Sequence, residues 1–139
     1  MGDWAPVDLE VYVGTFAGAS YGVWWDGEHL VYESFEPGYR NRRQAHTIPS
    51  PAQWRRFWRT MKEIDVWAWK PHYEPGERYE PAAVIRDGTH WSITLAWRSS
   101  RVVASGDGAG PDNVDLDESR PFRCLCEAVS RLAGGAEFA

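Results

Sequence analysis

Two Asp-Gly pairs, Asp26-Gly27 and Asp87-Gly88, constrain the fold of this chain more than any other feature. Each pair lies between two runs that are rich in β-branched and aromatic residues. The flanking runs are residues 21–25 and 28–35 for the first pair, and residues 82–86 and 89–97 for the second. An Asp-Gly pair in this setting is a strong signal for a β-hairpin with a type I′ turn. Because a hairpin joins strands that run in opposite directions, the sequence predicts an antiparallel sheet.

Alternating hydrophobic residues extend the predicted sheet beyond these hairpins. Leu9, Val11 and Val13 lie on one face of a strand that ends at Gly14. In the run after the second Asp-Gly pair, four residues point inward: Trp91, Ile93, Leu95 and Trp97. A further reversal at Ser99-Ser100 leads into another strand, and the segment VWAWK, residues 66–70, is predicted as a strand that carries Trp67 and Trp69 on one face.

Two segments carry the spacing of amphipathic helices. Ser50 followed three residues later by Gln53 is a capping box, and Pro51 occupies the first helical position. The apolar residues of this helix recur at i, i+3, i+4 and i+7: Trp54, Phe57, Trp58, Met61 and Ile64. The second helix covers residues 121–133 and ends at Gly134-Gly135. Its apolar stripe consists of Phe122, Leu125, Cys126, Val129, Leu132 and Ala133.

These elements predict an α+β fold in a single domain, residues 1–139. The expected order is three strands, a helix, three or four strands and a second helix. Two amphipathic helices are enough to cover one face of a sheet. We therefore expect a two-layer sandwich, in which a mainly antiparallel sheet of about six or seven strands carries both helices on one face.

Composition and charge indicate the cellular compartment of the protein and limit the kinds of partner that it can bind. Residues 1–39 contain seven acidic residues and no Lys or Arg, whereas residues 40–70 contain eight basic residues and two acidic ones. Such polarity can steer a partner protein. The first residues lack the cationic and apolar pattern of a signal peptide, and no apolar run reaches the length of a membrane span, so we expect a cytoplasmic protein that does not bind membranes. Cys124 and Cys126 are two apart on a helix, where they point apart and form neither a disulfide nor a metal site.

The sequence contains no motif of a nucleotide, metal or catalytic site. The loop SGDGAG lacks the Lys-Ser/Thr ending of a phosphate-binding loop and is followed by acidic residues. Asn113, Asp115 and Asp117 alternate as calcium ligands do, but the glycine and the final acid of an EF-hand loop are missing. The four histidines and two cysteines show no metal-ligand spacing. We therefore expect no metal, no cofactor and no catalytic residue.

One alternative is a small-ligand-binding or hydrolytic domain built from loops 71–81 and 105–118. His72 is the histidine most typical of a loop, and a histidine beside carboxylates can act in acid–base chemistry. The residues assigned to this alternative are His72, Tyr73, Glu74, Tyr79, Asp107 and Asp112.

A second alternative is single-stranded nucleic-acid binding through the basic segment 40–62. Tyr39 and Trp69 could stack on bases beside this segment. Its basic residues include Arg42, Arg43, Arg55 and Arg59. The acidic sequence pI of about 5.3 argues against nucleic acid as a partner.

Nine tryptophans are present, and the placement of one of them indicates a recognition surface. Most belong to the predicted core, but Trp24 and Trp25 are adjacent on one strand and must point to opposite faces. With both helices on one face, one of the two indoles lies on the uncovered face, where an aromatic side chain is typical of an interface. Trp24 is therefore a candidate partner-binding residue, and Trp69 is assigned as a second candidate for ligand or partner binding.

Four segments of this chain resemble segments of known proteins: PSPAQWRRFWRTMKEIDVWAWK, DGTHWSITLAW, SGDGAGPDN and PFRCLCEAVSRL. Over residues 48–133 the chain resembles small uncharacterised bacterial proteins with a Trp/Phe helix that runs into a W-x-W strand, a DG-x-x-W hairpin, a Ser-Gly loop before a proline and a closing helix. Where such proteins often carry Asn and an aromatic before the loop proline, this chain has Gly108-Ala109-Gly110. The resemblance implies no activity. The hypothesis that fits best is a non-catalytic bacterial domain that binds another protein, as a regulator, inhibitor or immunity factor does, or that forms a homodimer.

Overall fold

The computed structural model describes residues 4–15, 17–74 and 89–139, and these contain seven strands and two helices longer than one turn. In chain order the elements are β1 Asp8–Gly14, β2 Ser20–Trp25, β3 Leu30–Glu36, β4 Arg40–Thr47, α1 Pro51–Glu63, β5 His72–Tyr73, β6 His90–Trp97, β7 Ser100–Asp107 and α2 Arg120–Leu132. Short 3-10 turns lie at Val66–Ala68 and Leu116–Glu118.

The seven strands form one sheet in the order β4-β3-β2-β1-β6-β7-β5. Every neighbouring pair is antiparallel except β5 and β7, which run parallel over a short stretch. The two central strands, β1 and β6, are separated by about 80 residues in sequence yet pair along the whole length of β1. This arrangement confirms the predicted α+β fold with a mainly antiparallel sheet.

The capping box predicted for α1 is present. The Ser50 hydroxyl oxygen accepts the N–H of Gln53 at 3.1 Å, and the Gln53 side chain accepts the N–H of Ser50 at 2.8 Å. Ser119 caps α2 in a similar way by accepting the N–H of Phe122. Each helix buries the apolar stripe expected from its spacing. The one exception is Ile64, the residue directly after α1, which is half-buried. Local sequence therefore specifies both helices.

Both helices pack against the same face of the sheet. Trp25 on β2 meets Trp54 of α1 edge-on at 5.3 Å between ring centroids. On β6, Trp97 stacks on Trp58 of α1 at 4.7 Å, and Trp91 packs against Phe122 of α2 at 5.8 Å. The β6 residues lie on one face because they are an even number of positions apart. The opposite face of the sheet carries no helix among the described residues.

The sequence pattern does not predict strand β4, because segment 40–47 stands out only by its basic residues. It pairs with β3 after a turn in which Gly38 and Tyr39 both take positive φ angles. All residues from Arg40 to His46 are exposed, so the strand carries no hydrophobic alternation that could have revealed it. The order of elements is therefore four strands before α1 rather than three.

The prediction of a strand at VWAWK, residues 66–70, is wrong. Val66–Ala68 forms a 3-10 turn that follows Asp65, whose φ of 55° is left-handed. Val66 is fully buried, Trp67 stacks on Trp58 at 6.1 Å, and Trp69 meets Trp91 at 5.8 Å. The two indoles thus pack against different core residues, Trp58 of α1 and Trp91 of β6.

The first hairpin is closed by four residues rather than by a two-residue type I′ turn. The Asp26 carboxylate accepts the N–H groups of Glu28 at 2.8 Å and His29 at 2.7 Å, and the Asp26 N–H donates to the His29 carbonyl at 3.1 Å. Only Gly27 has a positive φ in this turn, whereas type I′ requires two such residues. The side chain of Asp26 therefore supplies the hydrogen bonds that a tighter backbone turn would make.

Two other predicted reversals have different outcomes. The β6–β7 turn lies at Arg98-Ser99, one residue earlier than expected, because Trp97 pairs with Ser100. Arg98 adopts a φ of 55° and places its guanidinium over the Trp97 ring at 4.3 Å. The predicted strand at 82–86 and the Asp87-Gly88 turn lie outside the described residues.

Candidate functional site

The uncovered face of the sheet brings together residues from β1, β2, β3 and β6. Directly opposite residues of antiparallel strands share a face. Gly22 on β2 lies opposite both Tyr12 on β1 and Glu33 on β3, and Tyr12 in turn lies opposite Ser92 on β6. Two residues further along β2, Trp24 lies opposite Glu10. Trp24 is therefore on the uncovered face, while Trp25 contacts α1.

A groove of about 260 Å³ opens on this face above Gly22, and we call it the sheet groove. Its lining residues are Glu10, Val11, Tyr12, Tyr21, Gly22, Val23, Trp24, Glu33, Phe35 and Ser92. Gly22 has no side chain to fill the space between its neighbours. A Cβ at this position would lie 3.8 Å or more from any neighbouring heavy atom, so the gap is not imposed by crowding.

Aromatic side chains line the sheet groove. The half-buried indole of Trp24 on β2, the ring of Tyr12 on β1 and the ring of Phe35 on β3 contribute to its lining. The hydroxyls of Tyr12 and Tyr39 are 3.0 Å apart, and the ring of Tyr39 packs against Phe35 at 5.6 Å. Burial is the main reason that the pKa of Tyr12 is raised above 10.0, with a contribution from the Tyr39 hydroxyl. The Tyr12 hydroxyl is therefore neutral and hydrogen-bonded at physiological pH, and the Tyr12 ring lines the groove.

Two carboxylates with different surroundings lie at the sheet groove. Glu33 accepts two hydrogen bonds from the Arg42 guanidinium, at 2.7 and 3.0 Å, and a weaker one from Gln44 at 3.4 Å. Glu10 is exposed, and its side chain makes no ion pair or hydrogen bond within the described ranges. The charge of Glu33 is therefore balanced and that of Glu10 is not.

A second cluster lies on the same face at the β6–β7–β5 edge, and we call it the histidine cluster. Asp107 is 2.6 Å from His90 Nδ1 and 3.5 Å from His72 Nε2. Glu74 is 3.3 Å from the same His72 nitrogen, and Ser105 Oγ is 2.9 Å from His72 Nδ1. The side chains of His72 and His90 are 42% and 48% exposed, so water reaches the whole cluster. Within residues 4–15, 17–74 and 89–139, no group of His, Cys, Asp or Glu is arranged to hold a metal ion.

The histidine cluster contains three of the residues assigned to the ligand-binding alternative, namely His72, Glu74 and Asp107. Ser105 is the first residue of the predicted loop 105–118 but is not among the assigned site residues, and neither is His90. Their participation depends on the pairing of Ser105 with His72 and of Asp107 with His90 across the sheet.

Three other predicted site residues have structural roles. Trp69 donates its indole N–H to the Ile64 carbonyl at 3.1 Å. Tyr73 is buried against Trp91, and its hydroxyl accepts the Lys70 N–H at 2.8 Å. Asp112 accepts the Ser119 hydroxyl at 2.7 Å, which holds the loop to the start of α2. Tyr79 lies outside the described residues.

The basic residues of segment 40–62 have different environments. Arg42 binds Glu33, and the Arg55 guanidinium lies over the Trp4 ring at 5.6 Å. Arg43 and Arg59 are exposed and make no ion pair with other described residues. Two of the four assigned arginines are thus engaged within the chain.

The glycine-rich exit of β7 is packed against the core. Trp91 donates its indole N–H to the Ala109 carbonyl at 2.8 Å, and Gly108 accepts the Leu116 N–H at 3.2 Å. A Cβ at Gly106 would collide with the Trp91 indole, and one at Gly110 would collide with Ser119. These glycines are explained by close packing rather than by a ligand.

A larger cavity, of about 710 Å³, lies beside α2 and is lined in part by Tyr21, Phe122 and Phe138. Its charged lining residues are Asp117, Arg123, Glu127 and Arg131, of which Arg131 is 3.6 Å from Glu127. Its lining includes Thr15 and Thr89, each of which adjoins residues outside the described ranges.

Sequence reasoning identified Trp24 but missed Glu10, Tyr12, Gly22, Glu33 and Phe35. A glycine at an outward position of a strand, two residues before a tryptophan, was the available signal. Comparison with known proteins adds no assignment, since no protein-family model matches the chain and no curated protein matches it. In the part of the chain that the structure describes, the helices are too short and too polar to cross a bilayer.

Proposed function

We propose that this chain is a non-catalytic, cytoplasmic bacterial protein that binds another protein through the uncovered face of its sheet, as a regulator, inhibitor or immunity factor does. The observation that carries this proposal is the position of both helices on one face, which leaves Trp24, Tyr12 and Phe35 around a groove on the other. Tryptophan and tyrosine are enriched among residues that dominate binding energy at interfaces. The unbridged cysteines Cys124 and Cys126 fit a reducing compartment.

Site-specific photocrosslinking in the native host tests this proposal. A photoreactive amino acid replaces Thr94, which lies opposite Glu10 on the uncovered face, or Arg59 on the exposed face of α1 as a matched control. We expect a discrete crosslinked partner from position 94 and none from position 59. Trp24→Ser should abolish the crosslink without unfolding the protein. Equal crosslinking from both positions, or background only together with a monomer by light scattering, would overturn the proposal.

The partner protein of this proposal can also be a second copy of the same chain, which would make a homodimer. Strand β4 is an edge strand of eight residues, and edge strands can pair with another chain. Its arginines oppose such pairing between identical strands, because two copies would bring like charges together. Light scattering at increasing concentration distinguishes a homodimer from a complex with a different protein.

The histidine cluster supports a second candidate function, acid–base chemistry on a small ligand. Ser105, His72 and the carboxylates of Glu74 and Asp107 form a chain of contacts like the hydrogen-bonded arrangement that activates a serine nucleophile. The side chains of His72, Glu74 and Asp107 are 42%, 72% and 54% exposed, and this access of water favours the binding function over this one. Ester hydrolysis that is lost in His72→Ala and retained in His46→Ala would support the candidate. Equal rates for the two variants would exclude it.

A further inference from the structure

We propose that the sheet groove binds a cationic side chain, arginine or lysine, presented by a partner protein. This inference rests on the proposed protein-binding function and specifies the chemistry that the surface recognises. It is carried by the shape of the groove, the aromatic rings around it and the unbalanced carboxylate of Glu10.

The size of the sheet groove suits one side chain rather than a whole small molecule. Its volume of about 260 Å³ lies below the roughly 300–1,000 Å³ that is typical of small-molecule pockets. The space above Gly22 is open on the surface of the sheet, so a side chain projecting from another protein can enter it.

The aromatic lining favours a positive charge. A guanidinium or ammonium group is attracted to the face of an aromatic ring, and most strongly to that of tryptophan. Trp24 lies directly opposite Glu10 in the β1–β2 register, so an indole and a carboxylate are adjacent. Tyr12 and Phe35 complete an aromatic surround. A cation bound here gains a ring contact and an ion pair together.

Charge complementarity points in the same direction. Residues 1–39, which supply β1, β2 and β3, contain seven acidic residues and no Lys or Arg. At the groove itself, Glu33 already binds a guanidinium, that of Arg42 from β4. Glu10 is the neighbouring carboxylate, and within the described residues it has no counterion. A partner's cation would supply the missing charge.

The same residues disfavour other occupants. An apolar segment would bury Glu10 without a partner, and an uncompensated buried charge is strongly destabilising. A phosphate of a nucleic acid would be repelled by Glu10. Among the chemical classes of side chain, a cation is the one that satisfies both the rings and the carboxylate.

Binding of two small probes, followed by two-dimensional NMR, tests the inference. The probes are N-acetyl-arginine methylamide and its neutral, nearly isosteric counterpart N-acetyl-citrulline methylamide. We expect the arginine probe to shift the indole N–H signal of Trp24 and the backbone amides of Glu10 and Gly22, and the citrulline probe to leave them unchanged. Equal shifts with both probes, or none with either, would overturn the cationic assignment.

Four variants define the site further. Gly22→Val should fill the groove and abolish the shifts, because a Cβ is accommodated there and valine favours strands. Glu10→Gln should weaken binding of the arginine probe by about two- to fivefold, as expected for an exposed ion pair. Arg42→Ser should strengthen it, because Glu33 then loses the guanidinium that balances its charge and, within the described part of the chain, keeps only the weak hydrogen bond from Gln44. Glu63→Gln, which removes the same charge from the exposed end of α1, should have no effect. An unchanged affinity in Glu10→Gln, whose exposed side chain makes no contact needed for folding, would count against the inference even if Gly22→Val failed to fold.

The photocrosslinking experiment separates failure of this inference from failure of the proposed function. If the crosslink from position 94 persists while the NMR signals do not distinguish arginine from citrulline, the uncovered face binds a protein by other chemistry. If both experiments fail, the uncovered face is not an interface.

Discussion

At the scale of single residues, Asp26 shows how one side chain can determine a turn. Its carboxylate accepts two backbone N–H groups, and these hydrogen bonds hold the pKa of Asp26 below its ordinary value of 3.8. A group whose pKa is lower in the folded state stabilises the fold above the pKa of the unfolded state. The stabilisation is lost as the pH falls through the lower, folded-state pKa.

Asp26→Ala should therefore lower the urea midpoint of unfolding at neutral pH, and the difference from the parent protein should shrink in acid. Urea titrations on either side of pH 3.8, followed by tryptophan fluorescence, measure both effects. Glu28→Ala is the control, since only the backbone of Glu28 takes part in the turn. A difference between Asp26→Ala and the parent that stays constant as the carboxyl titrates would contradict the assigned role.

The histidine cluster marks the limit of residue-scale prediction. His72 and Glu74 are near neighbours in sequence, so their proximity could be anticipated. Asp107 joins them because β5 pairs with β7 in a particular register, and His90 joins because β6 pairs with β7. Such contacts depend on long-range pairing that no local pattern in the sequence specifies.

At the scale of elements, β2 provides a matched pair of tryptophans on opposite faces of one strand. Trp25 packs edge-on against Trp54 of α1, whereas Trp24 borders the sheet groove. Trp25→Ala should cost up to about 3 kcal/mol in the free energy of unfolding, because it removes an aromatic contact between sheet and helix. Trp24→Ala should cost less than about 1 kcal/mol, as expected for a residue outside the helix-covered core.

Denaturant titrations of the two variants measure these free energies. The two substitutions remove the same atoms from adjacent positions, so the difference between them reports on the two faces of the sheet. Equal losses would mean that the two faces are equally packed, and Trp24 would then be a core residue rather than part of a binding surface.

The elements that the sequence predicted are those specified by local interactions. The capping box at Ser50 and the stripe of α1 involve residues three or four positions apart, and both are present. Strand β4 escaped prediction because its solvent-exposed arginines need no alternation at the edge of a sheet. The turn at Val66–Ala68 escaped because Trp67 and Trp69 alternate in sequence but pack against different core residues.

At the scale of the whole molecule, the prediction of one uncovered sheet face needed only the number and amphipathicity of the helices. The order of the strands needed more. The chain returns after α1 to place β6 beside β1, so the first four strands and the last three meet at the centre of the sheet. Neither the sheet groove nor the histidine cluster could be located before this order was known.

Strand order also predicts how stability is distributed across the sheet. The central strands β1 and β6 each pair on both sides and contribute fully buried residues such as Leu9, Trp91 and Leu95. Among the described strands β4 pairs with β3 alone, and its residues from Arg40 to His46 are exposed. Amides in elements with few buried contacts exchange through local opening, whereas those in the core exchange only on global unfolding.

Native-state hydrogen exchange in increasing denaturant should therefore give amides of β1 and β6 an opening free energy equal to that of global unfolding. Amides of β4 that are hydrogen-bonded to β3 should open at lower free energy and with little denaturant dependence. Trp25→Ala should reduce protection in β1 and β6 by the same amount as it reduces global stability, while leaving the opening of β4 nearly unchanged. Equal protection of β4 and β6 would mean that the edge opens only with the whole sheet, and the face beside it would then be a rigid surface that meets its partner without rearrangement.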